Sequence, residues 1–227
     1  MIHISETLAL HTIEGFLTDD ELTQLRKIMR TELDATGWAP SHQAEILLAP
    51  PTAQDILQDA IRRALPAIRR TMPSIQGAAP WAYTELTTGQ EVPTHLDGIP
   101  DPAAPPRRLG RIGVVLEDAD AGGDFYIETT SSPSVWTGRE VGEAEGFLPG
   151  TPLTHRLPHA QEPDANPHEA TPAWLTDARR TRWLTDARAG TAVAYGSQVI
   201  HGVTPVRAGH LRKFVTDLLD TDFPPLH

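Results

Sequence analysis

At Trp81 this sequence changes character, and the change limits the folds open to it. Beyond that residue, short runs of β-branched, aromatic and aliphatic residues are broken by turns bearing Gly and Pro. Strands are expected at 81–86, 91–96, 111–117, 125–129, 191–195, 198–203 and 211–218. The strongest is RIGVVLE at 111–117, which runs into the turn-forming DADAGGD. Two helices precede them. Thr18 and Glu21 have capping-box spacing, Leu22, Leu25, Ile28, Met29 and Leu33 recur on one face, and Gly37 is a natural stop. A second helix runs through Ile56, Leu57, Ala60, Ile61, Ala64 and Leu65, with Pro66 expected to end or kink it. Helices first and many strands after predict an α+β, mainly β fold: a double-sheet or jelly-roll barrel with the N-terminal helices packed outside. A doubly wound parallel fold is disfavoured, because helices and strands do not alternate and no Gly-rich phosphate fingerprint follows a strand.

The 227 residues suit one domain, 1–227. Residues 131–189 are rich in Pro, Gly, Thr and charge, and too long for a plain connection, so they read as an insertion serving as a lid or binding loop. WLTDAR occurs there twice, at 174–179 and 183–188, far short of a solenoid repeat.

There is no cysteine, so any metal must be held by His, Asp or Glu, and ten histidines are present. A net charge of −11 argues against a nucleic-acid partner. An acidic cleft could favour a cationic or amine-bearing substrate, although the same excess serves solubility. Neither a signal-peptide pattern nor an apolar run of membrane-spanning length occurs, so a cytoplasmic protein with no membrane partner is expected.

In Thr94-His95-Leu96-Asp97-Gly98, an extended backbone puts His95 and Asp97 on one side. Alone, such a triplet is weak evidence. His201 strengthens it, since it lies in the apolar, strand-like YGSQVIHGVTPV. Two histidines and a carboxylate can form the facial triad that leaves adjacent positions open on non-haem Fe(II). Arg212, beyond the turn after His201, could bring a guanidinium into the same cavity to meet a carboxylate; equally, it could belong to a surface patch with Arg207 and Lys213. Tyr83 and Tyr126 are candidates for lining a co-substrate pocket, or plain core. Arg111 could reach the cavity, although a strand-edge surface role is the simpler reading. His155, His159 and His168 read as loop residues rather than a second metal cluster, and Asp118, Asp120 and Asp124 lack the register of a calcium loop.

GQEVPTHLDG at 89–98 resembles the G-Q-x-x-x-x-H-x-D segment of Fe(II)/2-oxoglutarate-dependent dioxygenases, in their prolyl-hydroxylase-like branch. HGVTPVRAGHLRK at 201–213 is similar to that branch's H-x-V-x-P-V-x-x-G ending with a basic residue, and AGGDFYIET at 121–129 to its Gly-Gly turn and strand. The resemblance implies a double-stranded β-helix with Fe(II) on His95, Asp97 and His201, and Arg212 on the C5 carboxylate of 2-oxoglutarate. Lys213 is the alternative anchor. Strand alternation lets only one of the two face inward, and bidentate geometry favours Arg212. The implied activity is oxidation by O2 of an unactivated C–H bond of a small molecule, by hydroxylation or oxidative ring closure, in specialised metabolism. Alternatives are a protein or peptide side-chain hydroxylase, a non-catalytic metal- or sugar-binding barrel, and a metal-dependent hydrolase or isomerase on a cupin-like fold. Gly-Asp-Phe-Tyr replaces the branch's usual G-G-E-T, so no substrate contact transfers. An intact Asp97 argues against halogenation, because related halogenases carry a small residue there.

Overall fold

A computed structural model describes residues 1–40, 46–158 and 171–222. After a short helix α1 (Ile4–Thr7), α2 (Asp19–Thr36) starts where the capping box predicts: Glu21 N–H donates to Thr18 Oγ1, and Thr18 N–H to Glu21 Oε2. Gly37 closes it in the left-handed region, at φ 63°. Helix α3 (Pro51–Ile68) runs two residues past Pro66, correcting the expected stop. Near the C-terminus Pro66 removes only one donor, and the fully buried Ile68 holds the last turn against the core.

All strand pairs of the two main sheets are antiparallel. The larger sheet runs in the order β1 (Leu10–Ile13), β12 (Ala192–Gly196), β6 (Arg108–Glu117), β15 (His210–Leu219), β4 (Ala82–Thr87) and β2 (Ile46–Leu48), with β3 (Gly77–Ala78) also on β15. The smaller runs β11 (Thr181–Leu184), β8 (Phe125–Thr129), β13 (Ile200–Val203) and β5 (Val92–His95). Two ribbons complete the β structure: β7 (Ala121–Gly122) with β14 (Val206–Ala208), and β9 (Trp136–Val141) with β10 (Thr151–Thr154). Mostly β, with few helices and antiparallel sheets, this agrees with a jelly-roll arrangement.

The two faces of the larger sheet have different company. Ile112, Val114 and Leu116 of β6, with Phe214 and Leu218 of β15, share one buried cluster with Leu25, Met29 and Leu57 of the helices. Their neighbours in sequence, Arg111, Gly113 and Val115 on β6 and Lys213 and Val215 on β15, point the other way and line cavities shared with Phe125 and Val203 of the smaller sheet. Between the sheets, then, lies a lumen with charged and polar residues in its lining, unlike the apolar helix-side core.

The expected insertion contains β9, β10, a short helix α4 (Ala173–Thr176) and β11. The two copies of WLTDAR take different structures. The first begins in α4 with Leu175 fully buried, whereas the second begins in the exposed edge strand β11.

Candidate metal centre

The register of β13 on β5 sets His201 directly across from His95, with ring centroids 4.0 Å apart. Asp97 follows two residues after the end of β5. The chain turns immediately beyond it at Gly98, where φ is +62° and the N–H donates to Ser197 O at 2.7 Å. One ligand atom from each of His95, Asp97 and His201 lies within 4.8 Å of the others, and all three residues are buried. Among the described residues this is the group of three able to share a metal.

Each imidazole is oriented from behind. His95 Nδ1 is 3.0 Å from Pro93 O and His201 Nδ1 is 2.9 Å from Val199 O. A carbonyl only accepts, so Nδ1 carries the proton and Nε2 presents its lone pair to the centre. Burial pushes His95 down to about 4 against the pull of Asp97, and pushes His201 well below the usual histidine range, with His95 adding to the effect. Both rings are therefore neutral at pH 7, the state in which an imidazole can ligate a metal. Burial alone would raise the Asp97 carboxyl, but Arg111, then His201, His95 and Arg108, outweigh it and hold Asp97 well below the usual carboxylate range.

Both oxygens of Asp97 and Nε2 of His201 are buried without a hydrogen-bond partner. Such atoms in a native interior call for an explanation, and an N,N,O donor set facing inward is suited to Fe(II). Cis donors about 2 Å from one metal are about 3 Å apart. His201 Nε2 and Asp97 Oδ2 stand at 3.9 Å, so side-chain shifts of about an ångström would close the site.

The cavity beside these ligands is lined by Thr84, Arg111, Phe125, Tyr195, Val203 and Lys213 among others. Lys213 borders it, not Arg212, which corrects the expected anchor. Arg212 is in phase with Phe214 and Leu218 and therefore turns to the helix side, where it pairs with Glu85 (Nε to Oε2, 3.2 Å) and with Glu117 (Nη1 to Oε2, 2.5 Å). Tyr83 is displaced for the same reason. It packs edge-on against Phe214, donates to Glu85 Oε2 at 2.8 Å, and with Arg212 lines a separate cavity beneath α2. Tyr126 alternates with Phe125 and Ile127, which face the lumen; it lies on the opposite face, 2.9 Å from Thr94 Oγ1, with the Arg182 guanidinium 3.8 Å over its ring.

One lumen residue escaped sequence reasoning, and a second was weighted toward the surface. Tyr195 of β12 lies against His201 with the two rings tilted by 53° and centroids 4.3 Å apart, and burial raises its phenol above the usual range. Arg111, for which a place in the cavity was the lesser of two readings, borders it with Nη1 3.6 Å from Asp97 Oδ1. A signal for Arg111 was present: on β6 the apolar phase of Ile112, Val114 and Leu116 belongs to the helix-covered face, which leaves Arg111 and Gly113 for the lumen. Burial, helped by Arg111, lowers the Lys213 ammonium to about 8.

His155 stacks on Trp174 at 5.0 Å, while His159 and His168 lie outside the described residues. Asp118 and Asp124 are engaged in local hydrogen bonds with Ala189 and Thr204.

No family model and no curated protein matches the sequence. Solved structures do. A Pseudomonas putida prolyl-4-hydroxylase is similar at TM-score 0.57 and 17% identity, over 94% of this chain and 93% of that one. A Trichoplax adhaerens prolyl hydroxylase, solved with a peptide fragment of the hypoxia inducible factor oxygen degradation domain, is similar at 0.59 and 11% identity, over 94% and 84%. The non-haem α-ketoglutarate-dependent carbocyclase SnoK of nogalamycin biosynthesis is similar at 0.56 and 14%, over 96% and 81%. These likenesses establish a shared fold.

Proposed function

We propose that this chain is an Fe(II)- and 2-oxoglutarate-dependent oxygenase. The observation that carries the reading is the convergence of His95, Asp97 and His201 in a buried site beside the only lysine that borders the same cavity, Lys213. The shared fold with prolyl hydroxylases and a carbocyclase supports it.

His95, Asp97 and His201 would hold the metal, and Lys213 would take the distal carboxylate of 2-oxoglutarate by a charge-assisted hydrogen bond. When bound, the metal and co-substrate supply oxidation of a substrate C–H by O2, coupled to conversion of 2-oxoglutarate to succinate and CO2. The protein supplies the rest. The Pro93 and Val199 carbonyls keep both imidazoles in the ligating tautomer, Lys213 and Thr84 orient the co-substrate along the lumen, and Phe125, Val203 and Tyr195 exclude water.

For the substrate we favour a small molecule, with 131–189 acting as a lid. In support, Leu96 and Leu157 exchange backbone hydrogen bonds of 3.1 and 2.8 Å, and Arg156 Nε donates to Asp97 O at 3.0 Å, which ties this segment to the metal loop. The expectation of a cationic substrate gains nothing from the described lining of the lumen, where the charged residues apart from the histidines, Arg111 and Lys213, are both cations. A peptide substrate is the second reading. Strand β11 lies at an edge of the smaller sheet with Trp183 55% and Leu184 61% exposed, a surface to which an extended peptide could add.

The test is anaerobic titration with Fe(II) and 2-oxoglutarate. A weak visible charge-transfer band should require both, disappear in Asp97→Ala and weaken in Lys213→Met. Absence of the band in the wild-type protein would overturn the reading. Succinate release, screened with amine-bearing and neutral metabolites against proline-containing peptides, then separates the two substrate classes.

A further inference from the structure

Beside the Asp97 ligand lie three charged groups, Arg108, Arg111 and Asp217, to which co-substrate binding assigns no role. Arg111 Nη1 stands 3.6 Å and Arg108 Nη2 3.9 Å from the same oxygen of Asp97, Oδ1. The other oxygen, Oδ2, faces His201 Nε2. The two oxygens of one carboxylate are thus sorted, one toward guanidiniums and one toward the metal centre.

The sorting is built into the sheet. Arg111 of β6 is the register partner of Asp217 on β15, and its Nε donates to Asp217 Oδ1 at 2.8 Å. Arg108, three residues earlier, reaches Asp217 Oδ2 at 3.8 Å. Asp217 therefore braces both arginines from the side away from Asp97. The Asp97 side chain is fully inaccessible and those of Arg108 and Arg111 nearly so, so bulk water screens little of the attraction between them.

We propose that Arg111, braced by Asp217, is a positioning residue that keeps Asp97 monodentate. By holding Oδ1 back, it leaves Oδ2 alone to bind the metal. The consequence is chemical. A carboxylate that ligates through both oxygens takes one further coordination position, and a bidentate 2-oxo acid together with O2 needs every position that two histidines and one oxygen leave open. This inference rests on the metal reading above and adds a device that sets how many positions stay free.

The experiment is water-proton relaxation of the Mn(II)-loaded protein, which counts exchangeable waters on the metal without any turnover. Arg111→Gln should still bind one Mn(II) per chain but lose about a third of the inner-sphere relaxation, one water of about three, as Oδ1 swings onto the metal. Arg111→Lys should behave like Arg111→Gln, because a point ammonium cannot span Asp97 and Asp217 as the planar fork does. Asp217→Asn should show a smaller loss in the same direction. Wild-type relaxation per bound Mn(II) in Arg111→Gln would overturn the proposal. Full restoration by Arg111→Lys would overturn it too, since charge alone would then suffice. Should circular dichroism show Arg111→Gln unfolded, Asp217→Asn decides, its side chain being 31% exposed and tolerant of the change; unchanged relaxation there refutes the brace. A wild-type protein that binds no Mn(II) sinks the metal reading itself, whereas a wild type that binds and variants that match it sink only this inference.

Discussion

Lys213→Met should bind 2-oxoglutarate far more weakly and yet melt at a higher temperature than the parent protein. Both halves come from the position of Lys213 on the lumen face of β15. Burial lowers its ammonium from the ordinary 10.5 to about 8, with Arg111 adding repulsion. That difference corresponds to about 3 kcal/mol against the charged form in the folded state. Lys213 keeps some accessible surface because it borders the cavity, so water there screens part of the penalty, and about 2 kcal/mol is the better figure. Methionine retains the stem and removes the charge, so the ligand-free variant should gain roughly that amount, about 4–8 °C for a chain of this length. The pH dependence has a definite sign. The folded-state value lies below the unfolded one, so the penalty is fully present below pH 8 and fades between about 8 and 10.5, where the folded protein has already shed its proton. The gap between variant and parent should close across that window. On the binding side, truncating one partner of a buried charge pair costs about 3 kcal/mol, on the order of a hundredfold in Kd. Calorimetric titration of the metal-loaded protein with 2-oxoglutarate and thermal melts from pH 7 to 10.5 measure the two effects separately. A variant with unchanged affinity refutes Lys213 as anchor. One that melts below the parent at pH 7 refutes the argument from burial.

Arg212→Ala should leave 2-oxoglutarate affinity unchanged while lowering stability by about 1–2 kcal/mol in a denaturant melt, because it strips the nearly buried Glu85 of one of its partners on the helix side. Gly202→Ala should destabilise by about 2–3 kcal/mol in the same assay: a Cβ there meets the Tyr126 phenol and stands 2.6 Å from Val92 O. Mn(II) affinity, followed by calorimetry, should hold nearly level from pH 7 down to about 5 and fall only below that. Metal competes with protons for the imidazoles, and burial has already brought His95 to about 4 and His201 well below its usual range. An affinity that drops tenfold between pH 7 and 6 would refute this.

The ligand triad was legible because its residues carry local marks. His95 and Asp97 share a side through simple alternation, and His201 sits in an apolar run where a histidine needs a reason. The anchor was legible only as a pair. Alternation said that one of Arg212 and Lys213 faces inward, and preference for a bidentate guanidinium chose the wrong one. What decides is which face of β15 the helices cover, and Phe214 and Leu218 assign that face to the phase of Arg212. Arg111 was weighted toward the surface by the same omission, since a strand covered on both sides has no solvent face to receive its charged phase. Tyr126 was lost similarly, because its strand looks inward through Phe125 and Ile127.

By itself the order of residues determined the helix start at Thr18, the strand-rich body and three inward-pointing side chains able to share a metal. Each depends on a periodicity or cap only a few residues long. Tertiary structure alone decided what faces what. WLTDAR shows the division most plainly, since six identical residues open in a buried helical turn at 174 and in an exposed strand at 183. Local preferences of that size amount to a few tenths of a kcal/mol per residue, and burying Leu175 or pairing with β8 outweighs them. The same arithmetic put Lys213 in the lumen: packing Phe214 and Leu218 under the helices is worth more than sparing one ammonium its desolvation.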